Sequence, residues 1–208
     1  MERKSLNEVG VGGAISTTYK ENQIEIDFRV KGHPLGIDDS EQFSEKTVLD
    51  FVVRSYASSC LTLLKRMENY KDAETYHDMN ECALRYFPAL FCFRHYLELK
   101  LKYLYMCYTN QTFNIASHNL MDLHSELKEV GFNHNVFDKP IQYIKDREYY
   151  MNVSDGDASV FRYLIKRDFQ CKEKLIIPMS EFTTIKDFIL DIEHYTEIML
   201  FNRMVGKN

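Results

Sequence analysis

The sequence predicts a mainly α protein: an antiparallel helical bundle of four to five helices with a short N-terminal strand and a minor β addition. Eight Gly and four Pro among 208 residues are few, which argues against a loop-rich β-sandwich and favours long helices. Over most of the chain, apolar residues recur at steps of three and four, the period of an amphipathic helix. With 45% hydrophobic residues, a chain of this length suffices for one domain with a buried core.

The N-terminal segment differs from the rest of the chain. Residues 1–20 contain three glycines and little periodicity, so we expect a flexible arm there and a single domain over residues 21–208. Residues 23–30 alternate between apolar and polar side chains, which predicts a half-buried strand.

Five later segments follow the helical period. The third is expected to begin at Asn119, a good N-cap residue, and to end before Gly131, a residue that commonly follows a helix. Residues 161–165 alternate again and predict a short strand. The predicted helices begin and end near residues 44–69, 80–109, 119–130, 139–150 and 180–199.

Charge and cysteine content narrow the classes of function. A net charge of −5 argues against a general nucleic-acid coat or a membrane-surface protein, although a local basic patch remains compatible with RNA. The N-terminus lacks the apolar region of a signal peptide, and the chain has no long uncharged apolar run. Five cysteines without a CxxC pair fit a reducing compartment. We therefore expect a cytoplasmic protein that does not enter a membrane.

The second predicted helix carries two charges in an apolar environment. On a helical wheel, Arg94 and Glu98 lie one turn apart within the apolar flank, whereas His95 and Lys102 lie further round. A buried guanidinium must be paired, because an isolated one costs several kcal/mol. Two roles therefore remain open for Arg94. It either forms an ion pair with Glu98 that fixes the packing, or it is a rigid anion-binding group that Glu98 orients.

The start of the third predicted helix offers a further candidate. Asn119 is expected to cap this helix, with Asp122 accepting a hydrogen bond from the backbone N–H of the cap residue. His118 is then either a structural residue beside the cap, or a general base or phosphate ligand at a helix N-terminus.

The motifs FPALFCFRHYLELKLKYL, SHNLMDLHSEL and ASVFRYLIKRD resemble the HEPN superfamily of small prokaryotic helical proteins. The resemblance covers about residues 45–205. It implies a helical bundle, commonly a homodimer, and metal-independent RNA cleavage in toxin–antitoxin and other antiphage systems. The residues that match are Arg94, Glu98, His118, Asn119, Arg162 and Tyr163.

The chain departs from that family in one respect. Catalytic members carry an Arg followed, after four to six residues, by a His, and none of the ten arginines here has a His at that spacing. The nearest pair, Arg29 and His33, is one residue short and lies beside the predicted strand.

Two functions follow from the resemblance. In the first, the protein is an endoribonuclease in which His118 is the base and Arg94 and Arg162 stabilise the charge on the phosphorane. The residues expected to bind substrate are then Glu98, Asn119, Tyr163 and His95. In the second, a non-catalytic module binds a nucleotide, a phosphate or a protein partner. The expected partners are a second copy, RNA or a nucleotide, and an antitoxin or other defence protein.

No metal and no other cofactor are expected. His118 and His124 are six residues apart, about 240° around a helix, so they cannot share a metal ion from one face. Asp155 and Asp157 flank a glycine in a string that is typical of a turn. Neither this string nor His118 and Asp122, which are four residues apart, forms a complete ligand set.

Overall fold

Five α-helices make up most of the part of the chain that the structure describes. The computed structural model describes residues 9–10, 13–14, 16–20, 23–27, 45–68, 76–111, 117–150 and 180–206. The protein is mainly α, as predicted. The helices are α1 (Glu45–Glu68), α2 (Tyr76–Thr109), α3 (Leu120–Glu129), α4 (Asp138–Tyr150) and α5 (Ser180–Val205).

The helix ends follow the local signals in the sequence. Gly131 has a φ of +100°, and its N–H donates to the Lys128 carbonyl, so it ends α3 as expected. Helix α2 begins at Tyr76, earlier than the polar composition indicated. Residues 76–79 contain no glycine or proline, so the helix can include them.

Short strands precede the helices. Strands β1 (Val9–Gly10) and β2 (Gly13–Ala14) pair antiparallel, as do β3 (Ser16–Lys20) and β4 (Gln23–Asp27). The strand predicted over residues 23–30 overlaps β4, and its last three residues lie outside the described part of the chain. The strand predicted over residues 161–165 also lies outside it.

The chain forms two compact units, Met1–Phe51 and Val52–Asn208. The division falls within α1 and therefore does not decide where a domain begins. The predicted boundary after residue 20 stays a prediction.

Helix α2 lies at the centre of the larger unit and contacts α3, α4 and α5. A helix that is apolar on nearly every side must be surrounded, and each leucine that it buries stabilises the fold by about 1.5–3 kcal/mol. These apolar side chains of α2 are covered by the chain itself. The fully buried residues of α2 include Tyr86, Leu90, Phe93, Tyr96, Leu97, Leu101 and Leu104.

Helix α5 runs parallel to α2, and this pair departs from the antiparallel arrangement that we predicted. Three polar contacts join the two helices along their length, and the partners advance in the same direction on both. Tyr86 donates to Glu181 (3.1 Å), Tyr96 donates to Glu193 (2.6 Å), and Arg203 Nη2 donates to the backbone carbonyl of Tyr108 (2.6 Å).

Helix α1 is the one described helix that is long and apolar enough, by length and composition, to cross a membrane. The core helix of a soluble protein meets the same criteria. Its Cys60 thiol donates to the Ala89 carbonyl of α2 at 3.3 Å, and its Tyr56 ring meets Phe91 edge to face. The cytoplasmic location stays a prediction.

Candidate functional site

The carboxylate of Glu98 is the centre of a polar cluster inside the larger unit. Its side chain is only 2% exposed, and both of its oxygens accept hydrogen bonds. Arg94 and Lys102 lie one turn before and one turn after Glu98, spacings that place all three on one face of α2. We call Arg94, His95, Glu98, Lys102 and His118 the Glu98 cluster.

Distances within the Glu98 cluster are short. Arg94 Nη1 donates to Oε2 of Glu98 at 2.6 Å, and Lys102 Nζ donates to Oε1 at 2.8 Å. His118 Nδ1 lies 2.8 Å from the same Oε1. The ion pair predicted from the spacing of Arg94 and Glu98 is therefore present, and an imidazole from outside α2 joins it.

Arg94 also holds the segment that leads into α3. Its guanidinium is buried, and Nη2 donates to the backbone carbonyl of His118 at 2.6 Å. One side chain thus fixes both the carboxylate of Glu98 and the backbone of His118. Arg94 positions other groups and does not itself face the surface.

Hydrogen bonding keeps Glu98 charged. Burial alone would raise the pKa of this carboxyl group, but hydrogen bonds from Lys102 and His118 and the charges of Lys102 and Arg94 outweigh burial and lower the pKa. Glu98 is therefore a carboxylate at neutral pH, able to accept hydrogen bonds but not to donate them.

This charge state fixes the tautomer of His118. Because the carboxylate only accepts, His118 donates from Nδ1, and in the neutral ring Nε2 carries the lone pair. The side chain of His118 is 46% exposed. A buried carboxylate therefore orients an accessible imidazole, an arrangement that suits proton transfer.

Asn119 caps α3 as predicted, since its Oδ1 accepts from the backbone N–H of Met121 at 2.9 Å. The predicted role of Asp122 was wrong. The backbone N–H of Asn119 donates to the Ser117 hydroxyl at 3.1 Å, and that hydroxyl donates to Asp122 Oδ2 at 3.3 Å. Ser117 is nearer to Asn119 in the sequence than Asp122 is, and its hydroxyl accepts the hydrogen bond from the Asn119 N–H.

His95 also reaches the Glu98 cluster. Its Nδ1 lies 3.8 Å from Oε2 of Glu98, and its ring stacks on Phe91 and meets the edge of Tyr56. Lys102 was not among the residues predicted for the site. Its signal in the sequence is the Glu-to-Lys spacing of four residues, which favours an ion pair on a helix.

Two predicted site residues, Arg162 and Tyr163, lie outside the described part of the chain. Within residues 45–68, 84–111, 117–148 and 180–206, no group of three or more His, Cys, Asp or Glu side chains is arranged to hold a metal ion. The absence of a metal from the reaction stays a prediction.

Comparison with known protein families, curated proteins and solved structures finds no match to this chain. Membership of the HEPN superfamily therefore stays a prediction from the motifs around Arg94, His118 and Arg162. The functional proposal depends on the contacts of the Glu98 cluster.

A second buried carboxylate was not predicted. Glu181, at the start of α5, accepts hydrogen bonds from Tyr86 of α2 (3.1 Å) and Tyr143 of α4 (2.8 Å) and pairs with Arg147 of α4. Burial, with the nearby charge of Glu181 adding to it, raises the pKa of both phenols. Tyr86, Tyr143, Arg147 and Glu181, which we call the Glu181 cluster, join three helices inside the fold.

His124 of α3 is a histidine in a buried position. Burial, and then the charge of Lys128, lower its pKa below the ordinary value of 6.5, although Asp138 acts in the opposite direction. Its Nδ1 lies 3.6 Å from Asp138 Oδ1, and Nε2 has no hydrogen-bond partner among the described residues.

We expect the free energy of unfolding to fall as the pH drops below about 6.5, because the unfolded chain protonates His124 before the folded chain does. Urea unfolding at about pH 7.5 and about pH 5.5 measures this change. The fall should be smaller in His124→Leu and unchanged in His194→Gln, a substitution of an exposed histidine on α5. An identical fall in His124→Leu would contradict the assignment.

Proposed function

We propose that this protein is a HEPN-like helical bundle of a prokaryotic defence or toxin–antitoxin system, and that it cleaves RNA without a metal ion. The observation that supports this proposal is the 2.8 Å contact between His118 Nδ1 and the buried Glu98 carboxylate. It leaves Nε2 of a half-exposed ring able to take a proton from a substrate.

In the proposed reaction, the ribose 2′-hydroxyl attacks the adjacent phosphorus while His118 Nε2 takes its proton. Glu98 stabilises the imidazolium as it forms and keeps the ring in the productive orientation. A positioned base of this kind contributes about 10²–10⁴-fold to the rate.

The two arginines take different roles in this proposal. Because both terminal nitrogens of Arg94 donate inside the protein, we assign it a positioning role rather than contact with the phosphate. Arg162, in the Phe-Arg-Tyr motif, is the proposed phosphate contact, and Tyr163 is the proposed stacking residue for a base.

A second candidate function is a non-catalytic module that binds a phosphate or nucleotide, or a protein partner. One observation favours it. The bond from Arg94 Nη2 to the His118 carbonyl fixes the half-exposed His118 at the surface, where its ring can contact a phosphate without any chemistry.

Cleavage of a labelled RNA of mixed sequence in EDTA tests the proposal. We expect cleavage by the wild-type protein and a loss of about 10²–10⁴-fold in His118→Ala. His194→Ala is the matched control, because His194 is also exposed but lies on α5 outside the Glu98 cluster. Its rate should equal that of the wild type.

Absence of wild-type cleavage at every pH from about 5 to about 9 would overturn the ribonuclease proposal. A rise in melting temperature with nucleotide that is lost in His118→Ala would then support the binding function.

A further inference from the structure

Two imidazoles meet the two oxygens of one buried carboxylate. His118 Nδ1 lies 2.8 Å from Glu98 Oε1, and His95 Nδ1 lies 3.8 Å from Oε2. Given the proposed function, on which this inference rests, we infer that His95 is the general acid of the same reaction. His118 and His95 then form an acid–base pair around Glu98.

The position of the His95 ring supports this role. Phe91 stacks on it with ring centroids 5.6 Å apart and an angle of 16°, and Tyr56 of α1 meets it edge to face at 4.6 Å. The side chain is nevertheless 19% exposed. A ring held on two sides by aromatic packing and still open to the surface is pre-organised for proton transfer.

RNA cleavage by attack of the 2′-hydroxyl needs a proton donor as well as a base. The bond from O2′ to phosphorus forms as the bond from phosphorus to O5′ breaks, and the proton of the 2′-hydroxyl moves to His118 Nε2. The leaving O5′ receives a proton from the imidazolium of His95. The products are a 2′,3′-cyclic phosphate and a 5′-hydroxyl, and exchange with water restores both rings.

Charged groups surround the carboxylate that the two rings share. Among the described residues, the groups close to His95 include Glu98 on its own helix and the Tyr56 ring on α1, and His118 contacts the same carboxylate. The Glu98 carboxylate attracts an imidazolium on either side. Arg94 and Lys102 form ion pairs with the same carboxylate, so it lies between two cations and two imidazole rings.

Substrates with different leaving groups distinguish an acid from a structural residue. A dinucleotide has an alkoxide leaving group that must be protonated, whereas uridine 3′-(4-nitrophenyl phosphate) releases a phenolate that need not be. We expect His95→Ala to cleave the dinucleotide about 10²-fold or more slowly than the wild type and the nitrophenyl ester at a rate close to it. His118→Ala should lose both activities.

The pH profile provides a second readout. Wild-type kcat/KM for the dinucleotide should follow a bell-shaped curve, since the base must be neutral and the acid protonated. His95→Ala should lack the decline at high pH in its remaining dinucleotide cleavage, and with the nitrophenyl ester the decline should be absent from wild type and variant alike. His95→Gln retains more of the side-chain volume and serves if His95→Ala does not fold.

The outcomes separate this inference from the proposed function. An equal loss of activity on both substrates in folded His95→Ala and His95→Gln would show that His95 only supports the structure. This result would overturn the inference and leave the role of His118 unchanged. Wild-type rates on both substrates in these variants would also overturn it. A wild-type protein that cleaves neither substrate would overturn the proposed function itself, and the inference with it.

Discussion

Replacing Glu98 with alanine is expected to lower the free energy of unfolding by about 3–5 kcal/mol. The substitution leaves the buried guanidinium of Arg94 without its carboxylate and removes the acceptor of Lys102 and His118. Removing one partner of a buried ion pair costs more than the pair contributes, because the remaining charge stays in a medium of low polarity. Urea unfolding at neutral pH measures the change.

Glu129→Ala is the matched control for Glu98→Ala. Glu129 is an exposed carboxylate at the end of α3, and its loss should change the free energy of unfolding by less than about 0.5 kcal/mol. A similarly small change in Glu98→Ala would show that water or other groups solvate Arg94, contrary to its burial.

Glu181→Ala should destabilise the fold by a similar amount, about 3–5 kcal/mol. It removes the acceptor shared by Tyr86, Tyr143 and Arg147, and leaves a partly buried guanidinium and two phenols without it. Thermal or urea unfolding checks the loss, with Glu197→Ala as the control from the exposed side of α5.

Single substitutions of the two tyrosines should have smaller effects. Tyr86→Phe and Tyr143→Phe each remove one donor and leave Glu181 with its other partners, so each should cost about 0.5–1.5 kcal/mol. A loss in Glu181→Ala no larger than that in either tyrosine variant would contradict the assignment of Glu181 as the shared acceptor.

Features that depend on residues close together in the sequence were predicted better than contacts between residues far apart in it. The helices were predicted because a period of three to four residues is visible within each segment, and the cap at Asn119 depends on neighbours two residues away. The pairing of Arg94 with Glu98 was predicted as one of two alternatives, because residues four apart on a helix always lie on one face.

Contacts between helices were not predictable in the same way. His118 meets Glu98 from outside α2, and Glu181 meets Tyr86 across a separation of 95 residues. A single sequence contains the chemistry of these side chains but not the packing that brings them together. The parallel course of α2 and α5 was missed for the same reason, since periodicity gives the faces of a helix and not its direction.

The parallel contacts between α2 and α5 set an order of events during synthesis. The residues they join are 95, 97 and 95 positions apart, so α2 is made long before its partner on α5 exists. At about 5–20 residues per second, a nascent chain waits about 5–20 s for α5. During that time Tyr86 and Tyr96 lack the carboxylates that accept from their hydroxyls, and part of the apolar surface of α2 is uncovered. The growing chain therefore passes through a stage in which its central helix is available to chaperones.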